Sequence, residues 1–478
     1  MIFDDLREFI NKVEDLGECK MVEGADWDLE IGALSEIEAM RPNPSMFLFD
    51  KIKGHEAGFQ VVSNVSITQR RAALTLGLPL EAKGIELVKA MRQKLKESNQ
   101  LIPPVEVETG PVKENILTGD NVDLLKFPAP KWHELDGGRY IGTGTISIIR
   151  DPDEGWVNLG CYRVQVHDKT TVTIAIDPGH HGGTIREKYW ARGLTCPVAI
   201  SCGQDPVLWF VSVSAAPWGI SEYDVAGALR NKAVEVTRGV TTDLPIPASA
   251  EIVLEGEILP PEVETRQEGP FGEFTGYYAS AVKPEPAVRI KSILHRNNPI
   301  IQGEPPMRWP FPHGWLVQIH WSALLWDDLD KQVPGVNGVW QVGEAGIRNM
   351  VIISLKQQYA GHAKQAALVA AGSHAASYFL RYLIVVDEDI DPSNLSDVLW
   401  ALGTRSEPES IDIVRGCWSS ALNPTLTPEQ RQRGELVHSM AIILACKPYS
   451  WIKDFPPSII SSPEMIKKTK EKWAKLFE

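Results

Sequence analysis

Apolar residues recur along the first segment at the spacing of one helical face. Leu6, Phe9, Ile10, Val13 and Leu16 form the stripe, and Gly17 stands where the helix would end. A second helix is expected over residues 85–95. Between Leu101 and Arg139 the pattern breaks, because Pro103, Pro104, Pro111, Pro128 and Pro130 interrupt it. That stretch reads as a linker without regular structure, laid over the next domain. From Tyr140 to Gln302 the pattern is mostly that of strands: 143–149, 163–166, 171–176, 206–213 and 251–259, with 167–170 closing a hairpin. One helix interrupts them, capped by Ser221 with Val225, Leu229, Ala233 and Val236 on its apolar side. Many strands and few helices point to a barrel or sandwich. In the last third, 350–355 and 382–386 read as buried strands. Residues 363–380 read as a helix with Leu368, Ala371, Ala375 and Phe379 along one side. Strands alternating with helices predict an α/β layer. The tail, 463–477, reads as a helix with Ser462 as cap and Pro463 in its first turn. Met465, Thr469, Trp473 and Leu476 share one face of it, suited to docking on another domain, on a second subunit or on its own domain.

Charge and composition narrow the function. The chain has 478 residues, enough for two to four domains, and a formal charge of −14, which leaves no general basic face for nucleic acid. An acidic protein that binds anionic ligands must gather its Arg and Lys locally. No apolar run approaches the ~20 residues of a membrane-spanning helix. The start, Met1-Ile2-Phe3-Asp4-Asp5, lacks the basic and apolar regions of a secretory signal. Six cysteines, none in a C-x-x-C pair, read as reduced thiols of a cytoplasmic protein.

Several local groupings carry chemistry. Glu268-Gly269-Pro270-Phe271-Gly272-Glu273 holds two carboxylates on a loop shaped by glycine and proline, a pattern suited to proton transfer or, more plainly, to a surface turn. Asn158-Leu159-Gly160-Cys161-Tyr162-Arg163 offers an amide oxygen and a guanidinium fork at a strand. Pro178-Gly179-His180-His181-Gly182-Gly183 offers two histidines that, on an extended chain, point to opposite faces. Glu222 begins the helix capped by Ser221, and Lys364 stands in the first turn of the helix after strand 350–355, where anions bind. Taken together, Asn158, His180 and Glu222 suit a hard octahedral ion such as Mn²⁺ or Mg²⁺ better than zinc. The segment 304–315, with Arg308, Trp309, His313 and Trp315, is rich enough in aromatics to line a pocket for a flat polar ring, or to be a Pro-rich interdomain loop.

In this order, these residues resemble the UbiD-like family of prenylated-flavin decarboxylases. The likeness begins with Asp5-Leu6-Arg7 and Gly17-Glu18, and continues through Asp136-Gly137-Gly138-Arg139-Tyr140 and the groupings above. It includes Pro247-Ala248-Ser249-Ala250-Glu251 and Thr275-Gly276-Tyr277, and ends with 356–364. The resemblance implies an α+β multidomain fold. Its parts would be an N-terminal α/β segment (1–105), a central split β-barrel that binds prenylated FMN (106–310), and a C-terminal α/β oligomerisation domain with a terminal docking helix (311–478). It implies that Asn158, His180 and Glu222 hold Mn²⁺ against the flavin phosphate, with His180 preferred over His181. Arg163 would contact the flavin and pair with Glu268. Glu273 would be the acid/base, and Lys364 would help hold the phosphate. A potassium ion near Ser212–Glu222, a homodimer or homohexamer, and a flavin prenyltransferase as cofactor supplier are implied with them.

The chemistry agrees with that resemblance. Loss of CO₂ from an sp² carbon needs an electron sink, which a cofactor supplies. Glu273 would then return a proton to that carbon, with burial and Glu268 raising its pKa while Arg163 keeps Glu268 ionised. The expected substrate is an aromatic, heteroaromatic or other α,β-unsaturated carboxylic acid, released as CO₂ and the decarboxylated product in a reversible reaction. A polyprenyl-hydroxybenzoate decarboxylase of quinone biosynthesis, an enzyme for cinnamate-like acrylic acids, a non-catalytic flavin or metal scaffold, and an unrelated Mn²⁺ hydrolase are the rival readings.

Overall fold

The computed structural model describes residues 3–476 apart from 215 and 280, without the side chain of Pro463. Helix Leu6–Asp15 opens the chain, with Asp5 as its cap, and Leu6, Phe9, Ile10 and Val13 are buried as the sequence pattern requires. It rests on a four-stranded sheet in the order Cys19–Glu23, Met46–Asp50, Gln60–Ser63, Ile300–Gln302. The last strand arrives from far down the chain and runs parallel to Gln60–Ser63. The expected helix near residue 85 is present as Ile85–Glu97.

The middle of the chain builds a ten-stranded sheet. Its path runs Arg139–Gly142, Val164–Val166, Thr171–Ile174, Lys283–His295, Ile252–Ile258, Cys196–Cys202, Thr145–Arg150, Val157–Gly160. Thr265–Glu268 and Asn115–Thr118 add to the long strand Lys283–His295, and every pairing is antiparallel. The expected hairpin is there, with Val172 opposite Val166. A five-stranded mixed sheet follows, in the order Val336–Gln341, Met350–Leu355, Tyr382–Asp387, Val437–Ala445, Asp412–Trp418. Helices Gly314–Asp330, His362–Gly372 and Leu395–Arg405 accompany it. The fold is thus a mixed α/β, multi-sheet architecture. Among the described residues, no helix is long and apolar enough to cross a membrane, and all six cysteines are free.

Six local expectations are corrected. Residues 206–213 are not a strand but helix Pro206–Ser212. Asp205 caps it, accepting from the amides of Val207 and Leu208 at 3.2 and 3.1 Å, and Pro206 fits the first turn. All seven of its residues are buried, so it has no polar face to reveal its period. The helix after Ser221 spans Glu222–Arg230 and stops at Asn231, which takes a left-handed conformation, so Ala233 and Val236 lie beyond it. The helix expected over 363–380 breaks at Ser373, which caps a second turn, His374–Ser377. Its buried side is Ala363, Ala366, Ala367 and Ala370, while Leu368 is exposed. The supposed linker contributes strands Val105–Glu106 and Asn115–Thr118, because its prolines leave those short runs clear. Only His180 is on extended chain: it holds the N-cap position of helix His181–Trp190 without a side-chain capping bond, and His181 is already helical. The tail helix spans Pro463–Lys472, with Ser462 accepting from the Met465 amide at 3.2 Å, and Met465, Trp473 and Leu476 are all exposed. Phe477 lies outside the described residues.

Candidate active site

The glutamate loop is built from both ends of a hairpin. Thr265–Glu268 pairs with the start of Lys283–His295, so Glu268 lies opposite Lys283 at the strand's end. Gly269 takes φ +81°, which turns the chain sharply at that point. The turn packs so closely on Gly137 that a Cβ there would stand 1.9 Å from the Gly269 carbonyl oxygen. Arg163 comes from a separate part of the sheet, just ahead of strand Val164–Val166.

These segments bring Arg163, Glu268 and Glu273 into direct contact. Arg163 Nε and Nη2 donate to the two oxygens of Glu268 at 2.7 and 2.8 Å, and Nη1 donates to Glu273 Oε1 at 2.7 Å. Glu268 is fully buried. Its Oε1 also accepts from the Tyr140 hydroxyl at 3.1 Å. Gln165 Oε1 accepts from Tyr140 and from the Gly269 amide at 3.2 and 3.0 Å, which fixes the loop further. Burial opposes the charge on Arg163, but the bonds it donates to Glu268 and the charge of Glu273 outweigh it, and its pKa rises. Beside the expected pairing of Arg163 with Glu268 stands a second one: the same guanidinium bridges both carboxylates. Tyr140 and Gln165 belong to this cluster, and only their nearness in sequence to Gly138 and Arg163 hinted at it. Phe271 lies 4.1 Å from the Tyr140 ring and closes one side.

A second polar pair forms at the opposite edge of the sheet. Asn158 Nδ2 donates to Glu222 Oε1 at 3.1 Å, and the Leu159 amide donates to Oε2 at 2.7 Å. Both side chains are buried. Burial pushes the Glu222 pKa up to about 7, and Asn158 Oδ1 is buried without a hydrogen-bond partner among the described residues. An orphaned acceptor beside a carboxylate pushed toward neutrality is what a cation would satisfy, so this pair fits a hard metal ion. His180 is exposed and touches neither of them, but its ring lies 5.7 Å from that of Tyr162, which also feels the charge of Glu222. His181 instead faces Trp156 and Trp218, at 5.8 and 5.1 Å. No cluster of three His, Cys, Asp or Glu side chains able to hold a metal occurs among the described residues.

Lys364 is ion-paired with Asp412 on the edge strand of the C-terminal sheet. In the aromatic segment, His313 lies 5.1 Å from Trp209 and 4.8 Å from Phe311, with its Nδ1 3.4 Å from the buried Glu304 carboxylate. Arg308 is exposed and lies against Gly276 of the glutamate loop.

This architecture has relatives. Residues 10–91, 104–308 and 314–445 match in turn the N-terminal, Rift-related and C-terminal domains of 3-octaprenyl-4-hydroxybenzoate carboxy-lyase, the UbiD domains. The chain is 34% identical over 423 residues to the pyrrole-2-carboxylic acid decarboxylase of Pseudomonas aeruginosa, covering 84% of this chain and 83% of that one. Its fold superimposes on the open form of Sedimentibacter hydroxybenzoicus vanillic acid decarboxylase with a TM-score of 0.86 at 29% identity, covering 100% of this chain and 99% of that one. The UbiD-class enzyme HmfF of Pelotomaculum thermopropionicum, solved in complex with FMN, gives a TM-score of 0.85 at 29% identity over 97% and 98% of the two chains. An evolved dimeric form of HmfF, solved in complex with prFMN, gives 0.81 at 28% identity, with the same coverage. Three domain matches in sequence order, and a relative alike over most of both chains, make this protein a member of the UbiD carboxy-lyase family.

Proposed function

We propose that this protein decarboxylates an aromatic or heteroaromatic carboxylic acid, with a prenylated flavin as its cofactor. The observation that carries the reading is the Arg163 guanidinium bridging Glu268 and Glu273 at 2.7–2.8 Å in a family of carboxy-lyases. When bound, the prenylated flavin supplies the electron sink that the departing CO₂ requires. Glu273, in its acid form, gives a proton to the carbon that carried the carboxylate. Arg163 holds Oε1 of Glu273 in place and fixes Glu268 beneath it. Tyr140 and Gln165 keep the loop from moving away, and so preserve the short transfer distance that general acid catalysis needs.

In the same reading, Asn158 and Glu222 hold Mn²⁺ or Mg²⁺, His180 completes the set, and Lys364 serves the flavin phosphate. A potassium ion near 212–222 belongs with them. The ten-stranded sheet is then the split barrel of the flavin domain, within limits of 106–310, between an N-terminal segment, 1–105, and an oligomerisation domain, 311–478. Assembly as a homodimer or homohexamer, and cofactor supply by a flavin prenyltransferase, complete the proposal.

Co-expression with a flavin prenyltransferase tests it. The purified protein is expected to absorb in the visible range, to carry flavin and metal, and to release CO₂ from a simple aromatic acid. A colourless protein that stays inactive after co-expression would contradict the reading.

A further inference from the structure

We propose that Arg348 binds the carboxylate of the acid substrate, an assignment that rests on the decarboxylase reading above. A charge count raises the question. The cluster of Arg163, Glu268 and Glu273 sets two carboxylates against one guanidinium, and all three are joined by short ion pairs. With Glu273 in its acid form, Arg163 is neutralised by Glu268, so its guanidinium offers an entering carboxylate no net positive charge. Lys283, at the mouth of the same hairpin, pairs with Glu285 at 2.7 Å. The substrate therefore needs a cation that is not already engaged.

Arg348 meets that need. It follows strand Val336–Gln341 on the loop before Met350–Leu355. Its guanidinium makes no hydrogen bond and no ion pair among the described residues. It lies over the Trp321 ring at 3.9 Å and beside Tyr378 at 5.7 Å. Burial pushes its pKa down to about 10, the direction expected of an enclosed cation without a counter-charge. A guanidinium held over a ring keeps N–H donors whose fork matches a carboxylate bidentately. The backbone that carries it is unusual: Gly346, Ile347 and Arg348 take φ values of +84°, +36° and +63° in succession. Two of these are non-glycine residues, a conformation that costs free energy and is found where function demands it.

The loop lies against the glutamate turn. A Cβ at Gly346 would stand 3.8 Å from the carbonyl oxygen of Thr275, two residues beyond Glu273. Phe379 packs on Phe274 with ring centres 5.3 Å apart. The Tyr378 hydroxyl feels the charges of Arg348 and of Glu273 together. The C-terminal sheet thus delivers an unengaged cation to the same seam in which the barrel sheet places the acid. Arg308, exposed on that seam, is the alternative receiver of the carboxylate.

The test uses flavin-loaded full-length protein as wild type, R348Q, R348K and R308A. Steady-state rates are measured on pyrrole-2-carboxylate, furan-2-carboxylate, 4-hydroxybenzoate and 3,4-dihydroxybenzoate. A second measurement titrates the flavin absorption with each acid and with its neutral primary amide. For the acid the wild type consumes, R348Q is expected to raise KM by about tenfold or more, with kcat changed by less than about threefold. R348Q should keep its flavin content and lose the preference for acid over amide, and R348K should restore part of that preference. Four results would overturn the assignment. They are an unchanged KM and preference in R348Q, loss of flavin with an unchanged KM, equal damage to kcat and thermal stability in R348Q and R348K, and a KM effect confined to R308A. If the wild type consumes none of the four acids, the decarboxylase reading fails, and the acid-against-amide titration still decides whether Arg348 receives a carboxylate.

Discussion

The Arg163 cluster and the Asn158–Glu222 pair each hold a buried carboxylate, Glu268 and Glu222, yet they differ in how their charges are met. Glu268 has a guanidinium on both oxygens and a tyrosine hydroxyl besides. Among the described residues, Glu222 meets the Asn158 amide and backbone N–H groups but no cation, and the adjacent Asn158 Oδ1 has no partner. The first cluster is completed by the protein itself. The second is left incomplete, and burial pushes its carboxylate toward the neutral form. A preorganised acid/base site and an ion-binding site can thus be told apart by which charges the fold already neutralises.

The largest expected effect comes from the completed cluster. Glu273→Gln should keep flavin and fold while slowing turnover by about 10²–10⁴-fold, the range for loss of a general acid. Single-turnover CO₂ release measures it, and a rate within threefold of wild type would remove Glu273 from the chemistry. Next, Arg163→Met strips the cation from fully buried Glu268, a change expected to cost about 3–5 kcal/mol in denaturant unfolding.

The incomplete pair should respond to pH instead. Burial raises Glu222 from 4.5 to about 7, so the folded, metal-free protein retains a proton that the unfolded chain has released. That contribution is fully present below the ordinary glutamate value and is lost as pH rises through about 7. Metal-free stability should therefore fall across that window by on the order of 2 kcal/mol more in wild type than in Glu222→Gln. Smallest is Asn158→Ala. It should cost the metal-free protein about 1 kcal/mol, the net worth of one hydrogen bond, while removing most of the thermal stabilisation that Mn²⁺ gives the wild type. Equal stabilisation of both proteins by Mn²⁺ would detach Asn158 from the ion.

What was legible in the sequence follows the same physics. The helix Leu6–Asp15 announced itself because it buries one stripe and wets the other. Pro206–Ser212 did not, since a helix buried all round has no contrast, although the Asp205-Pro206 start was available as a signal. Glu268, Glu273 and Arg163 stood out as residue types on shaped segments. That one arginine holds both glutamates depends on a turn meeting a strand about a hundred residues away, which no local pattern encodes. Residue 348 gave no signal at all, because its interest lies in having no ion-pair partner among the described residues. Lys364 shows the converse, a well-placed cation at a helix start that the fold pairs with Asp412.

The most direct test follows the proton. Flavin-loaded protein is incubated in deuterated water with the four aromatic and heteroaromatic acids, and the products are examined by NMR. Deuterium is expected at the ring carbon that bore the carboxylate in at least one product, and to disappear with Glu273→Gln. Flavin-bound protein that labels none of them, or that labels equally well without Glu273, would contradict the account.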